Sequence, residues 1–139
     1  MTHSITATTT IADLQTAFSQ AFPYLKIEFF TRTHDVGEST WSKYMVFNHQ
    51  ERFEKLTSFK GNDVPFEFNS AMTVAAFEQN FQKHFGLGVQ VFRKSMGSWL
   101  ITSTTDNWTL AEQNEKGHES ATTLTEMVYT ERTNDSAVS

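Results

Sequence analysis

The sequence predicts an α+β fold: a two-layer sandwich in which two main helices lie on one face of an antiparallel sheet. Three observations predict it. A helix-then-strand phrase occurs twice, 63 residues apart; a hairpin pattern follows the second copy; a helix-capping signature follows the hairpin.

In the first copy Ile11, Leu14, Phe18 and Phe22 recur at i, i+3, i+7 and i+11, and Val74, Phe77, Phe81 and Phe85 repeat those intervals in the second. That spacing puts each set on one stripe of a 3.6-residue helix. Thr10 and Thr73 stand where an N-cap hydroxyl can accept an unpaired first-turn N–H. Pro23 ends the first helix and Gly86 the second, and the spacing then switches to period two. Leu25, Ile27 and Phe29 alternate with Lys26 and Glu28, and Leu87, Val89 and Val91 with Gly88 and Gln90. Each copy hands a helix to a strand.

Residues 109–117 open with a Thr-x-x-Glu capping box and reach Gly117, which predicts a short third helix. Phe53 to Phe59 and Val64 to Asn69 read as two strands around a turn at Lys60 to Asp63, with Pro65 placing the second at an edge. Residues 33–52 remain open between strand, helix and loop. The organisation is one α+β domain over residues 1–119, with a Ser/Thr-rich, partly mobile tail over 120–139. Two helix–strand repeats in this order are compatible with a permuted ferredoxin-like arrangement, α-β-β-α-β-β.

The stretches FGLGVQVFRKS at residues 85–95 and WLITSTTDNWTLAEQN at 99–114 resemble a motif in small bacterial proteins of unknown function. The resemblance runs from Thr73 to Gly117, about a third of the chain. It implies a genuine folded module and no activity, cofactor or site residue.

Thirteen Phe in 139 residues supply a core without cross-links, and the absence of Cys removes disulfides and thiolate metal sites. A net charge of -5 with scattered basic residues argues against nucleic acid. From Asp106 onward seven acidic residues face only Lys116 and Arg132, which would repel anionic lipid. No basic-then-apolar leader and no long apolar run is present, so the expected location is cytoplasmic and no membrane is expected.

The hairpin holds the informative anomaly. Val89 to Thr102 turns near Ser95, Met96 and Gly97, and the expected register pairs Phe92 with Trp99 and Val91 with Leu100, or shifts by one. In any register Val89 and Val91 point to one face while Phe92 points to the other, and Trp99 and Ile101 oppose Leu100. Phe29 and Phe30 are likewise adjacent and opposed. An antiparallel sheet ordinarily keeps one solvated face. The second face therefore needs a cover: residues 41–47 and 124–129 as a lid, a second copy, or an apolar ligand.

The sequence reads accordingly as a non-enzymatic interaction or self-association module, a homodimer or a binder of a protein partner. Phe92, Trp99, Leu100 and Ile101 are its anchors. The alternative is a small-molecule binder or enzyme with an aromatic-lined pocket between the sheet and residues 33–59, served by His34, Asp35, His49 or Asp106. His34 and Asp35 lack the further ligands a metal hydrolase needs, and no metal or cofactor is expected. Glu28 reads as solvated, His84 as a surface residue, and Asp106-Asn107-Trp108 as a turn with local side-chain bonds. Arg93 and Lys94 beside Phe92 and Trp99 could stack a base, but a solubilising turn is the plainer reading. Nucleophile-elbow, phosphate-loop and dinucleotide motifs are absent.

Overall fold

The computed structural model describes residues 2–61 and 63–122. Along the chain run β1 (Thr2–Ser4), α1 (Ile11–Ala21), β2 (Leu25–Phe30), β3 (Pro65–Glu67), α2 (Val74–Phe85), β4 (Gly88–Ser95), β5 (Ser98–Ile101) and a helix α3 over 110–122. The class is the predicted one, α+β with antiparallel sheets. Single 3-10 turns at Ser42–Tyr44, Phe53–Lys55 and Ser103–Thr105 punctuate the connections.

Each helix starts as its cap demands. The Thr10 hydroxyl accepts the Asp13 N–H while the Asp13 carboxylate accepts the Thr10 N–H, and Thr109 and Glu112 repeat the exchange at α3. Thr73 accepts from Ala76 N–H. Gly86 closes α2 in the left-handed conformation, its N–H donating to Gln82 O.

β4 lies between β2 and β5, with Ile27 opposite Val91 and Phe29 opposite Val89. The helices cover this face. Ring centroids of Phe18 and Phe77 stand 5.2 Å apart, as do those of Phe29 and Phe81, and Phe53 meets Phe29 edge-on at 5.1 Å. Fully burying each such side chain stabilises by about 1.5–3 kcal/mol, and tilted ring pairs add to that. The cluster joins both helix–strand units into one core.

Several expectations change. Phe53 to Phe59 is a 3-10 turn at Phe53–Lys55 followed by a turn, not a strand, because the Phe53 ring is drawn fully into the core and its N–H is taken by Thr9 O. The strand at 65–67 pairs instead with Thr2–Ser4, so the main sheet has three strands, not the four of a ferredoxin-like order. The hairpin turns on two residues, Met96 and Gly97, pairing Phe92 with Ile101 and Arg93 with Leu100. That register lies two residues from the expected one, so every side chain keeps its face. Residues 33–52 form turns and the Ser42–Tyr44 3-10 helix, with Met45 bridging Phe30. The tail expected over 120–139 begins as helix through 122, and its remainder lies outside the described residues.

α3 also runs past Gly117 instead of ending there. Glycine at this position serves docking, since a β-carbon would stand 2.8 Å from Tyr24 Cβ and 3.0 Å from Tyr24 O. Beside it, Asn114 Oδ1 accepts the Tyr24 N–H.

Two stability predictions follow from these local geometries. Gly117→Ala should lower the urea midpoint, although alanine in an unconstrained helix interior would gain about 1 kcal/mol. Met96 holds φ +50 at the first turn position, a conformation that disfavours a side chain with an ordinary β-carbon. Met96→Asn, with Gly97 following, should therefore raise stability by about 0.5–1 kcal/mol in the same assay.

Candidate interaction surface

A three-stranded sheet has two edges, and this chain treats them oppositely. Along β2, Gln15 Nε2 donates to Ile27 O at 2.9 Å, Ser19 Oγ to Leu25 O at 3.2 Å and Val46 N–H to Phe29 O at 2.8 Å. Side chains of α1 and the bridge at Met45 thus occupy that edge. The part of β4 that extends beyond β5 is closed as well: Glu78 accepts the Val91 N–H, Thr102 Oγ1 donates to Val91 O, and the His34 ring meets Val89 O.

Those bonds fix which groups of β5 face outward. Val91 directs its N–H and C=O away from β2, so by alternation Arg93 and Ser95 do too, and they engage Leu100 and Ser98. Trp99 and Ile101 must then point their backbone groups off the free edge. Among the described residues nothing pairs with them. Their side chains are also accessible, at 38% for Trp99, 44% for Leu100 and 37% for Ile101. An edge left unpaired by the described residues and carrying three consecutive large apolar side chains is what soluble sheets ordinarily avoid.

The outer face, opposite the helices, is half covered. Leaving β2, the chain crosses directly over Gly88, where any β-carbon would collide with the Arg32 carbonyl, and reaches the far side of β4 at His34. Phe30 and Gln90 are buried at that end. At the other end half-buried Phe92 joins Trp99 and Ile101 on the open side. Lys26 Nζ stands 5.3 Å from the Phe92 ring and 5.1 Å from Trp99, and Lys94 Nζ 4.9 Å from Trp99. The lysine stems screen part of the apolar surface while their charges remain in water. Arg93, on the helix side, bonds Gln113 and lies over Trp108, so it does not stack beside Lys94 at the tip.

The polar residues singled out from the sequence are distributed rather than joined in one pocket. His34 is buried, and Asp35 is exposed, offering its carbonyl to His34 Nδ1. Asp106 is buried and accepts the distant Gly37 N–H, so its bond is long-range rather than within its own turn. His49 lies apart, in an open groove of about 450 Å³ between α1 and β2. There its Nε2 meets Glu28 Oε2 at 3.1 Å, and Gln15 and Lys26 approach the same carboxylate at 3.3 and 3.5 Å. Glu28 is consequently buried, not solvated. Its oxygens are engaged by these three side chains, and the Ser19 hydroxyl in the same groove donates to Leu25 O. His84 is exposed, as expected.

Sequence reasoning missed Glu78 and Gln82, both buried on α2. The available signal was their position one residue after Phe77 and Phe81, on the flank of the apolar stripe and facing the same way. Burial pushes the Glu78 carboxyl up to about 8, opposed by the Val91 N–H and assisted by the negative charge of Asp106.

Among the described residues no cluster of His, Asp and Glu could hold a metal ion, and no helix is long and apolar enough to cross a membrane. No family model, no curated protein and no solved structure matches this chain.

Proposed function

We propose that this protein is an interaction module that self-associates by strand pairing at β5. The observation that supports this reading most directly is the outward backbone of Trp99 and Ile101, unpaired among the described residues, on a sheet whose opposite edge is occupied. An antiparallel pair of identical strands is self-complementary by symmetry, so a second copy of β5 fits the edge without any further design. The register that uses all four outward groups sets Trp99 of one copy against Ile101 of the other, with Leu100 meeting Leu100 on the two-fold axis. Ser98 to Ile101 carries no charge, so identical strands meet there without repulsion.

Light scattering should give twice the 15.9 kDa chain mass at micromolar concentration. Leu100→Lys should yield the monomer by placing like charges on the axis. Ile101→Pro should do so by deleting an outward N–H while leaving the β4 ladder intact. A wild-type monomer at high micromolar concentration, or a dimer that persists in both folded variants, would refute the reading.

A further inference from the structure

We propose that His34 and Glu78 share a single proton and together form a pH-sensitive latch that holds the 31–38 crossover against α2 and β4. A hydrogen-bond count at this contact carries the inference. His34 Nδ1 lies 2.9 Å from Asp35 O and Nε2 lies 3.0 Å from Val89 O, and both partners are carbonyls that can only accept. A neutral imidazole has one N–H and can serve one of them. Glu78 Oε1 stands 3.5 Å from the same Nε2 and has no hydrogen-bond partner, while Oε2 takes the Val91 N–H. One extra proton on the ring lets both nitrogens donate beside a carboxylate and completes the set; placed on the carboxyl instead, it removes the buried negative charge but leaves the neutral ring serving one carbonyl. The two forms differ only in where that proton sits.

Among the described residues, the groups hydrogen-bonded to this pair are uncharged. From α2, Gln82 accepts the His34 N–H and donates to His34 O, and Gln79 also donates to His34 O. β4 contributes the Val91 N–H and the Val89 carbonyl, and the crossover itself contributes the Asp35 carbonyl. Asp106 is the remaining carboxylate, tied to the Gly37 N–H on the same crossover. Loss of the shared proton would leave buried Glu78 negative beside Asp106 with one carbonyl unpaired, and both penalties fall on the contact that seats residues 34–37.

The sign follows from burial. The Glu78 carboxyl retains its proton up to about 8 in the folded state, whereas in the unfolded chain it releases it in the ordinary carboxyl range. The stabilisation is complete below that range and is lost as pH climbs toward about 8. Opening the latch would lift the crossover from Gly88 and uncover Phe30 and Gln90, enlarging the apolar outer face.

Amide hydrogen exchange corrected for intrinsic rate, with the His34 ring nitrogens followed by NMR, tests this between pH 6 and 9.5. In the wild type, protection of the His34, Gly37 and Val91 amides should fall by up to about tenfold per pH unit as pH rises toward about 8 and level off above it, while Phe81 within α2 holds. Glu78→Gln should flatten the profile. Asp106→Asn, which keeps an acceptor for Gly37, should move the midpoint to lower pH by removing the like charge. Parallel profiles in wild type and Glu78→Gln, or a midpoint unmoved by Asp106→Asn, would overturn the proposal. These readouts do not depend on whether β5 pairs, so the two proposals fail separately.

Discussion

The passage of the chain over Gly88 is the constraint on which the rest depends. β2 ends at Phe30 on one edge of the sheet, and by His34 the backbone is beyond the other edge of β4. That short crossing is possible only flat against the sheet, over a residue with no side chain. It buries one end of the outer face, delivers His34 to the carbonyl of Val89, and brings Gly37 to Asp106. The other end, around Phe92, Trp99 and Ile101, is left beyond its reach.

Beneath the sheet, interlocking rings accept irregular backbone around them. Phe53 projects from a 3-10 turn, Phe66 from a three-residue strand and Phe68 from a loop, yet all reach the same cluster as Phe18, Phe77 and Phe81. Non-directional apolar burial tolerates such varied approaches, which hydrogen-bonded ladders do not. The core therefore needs few regular elements to close.

Legibility in the sequence followed the range of the interactions. The helices α1 and α2, their threonine caps and the hairpin faces depend on neighbours within a few positions, and periodicity reports those. The strand at Thr2–Ser4 was hidden because its partner lies some sixty residues away and its own residues are polar. Gly117 looked like a helix end because the clash it avoids is with Tyr24, which no local rule can see. Glu28 looked solvated and Asp106 locally bonded for the same reason: their partners His49 and Gly37 come from a loop whose path is set by the crossover. Of the candidate surface, the two-sided hairpin was visible in the alternation of Val91, Phe92, Trp99 and Leu100. The bareness of its edge was not, because it depends on where β5 stops.

Gln15 and Ser19 give the molecule a direction. By filling the acceptors along β2 they make that side a terminus, so a strand that adds at β5 finds no second site from which growth could continue. Two such sheets joined at their open sides would present only finished borders to the solution. Pairing at β5, if it occurs as proposed, would close at six strands and not continue as a filament.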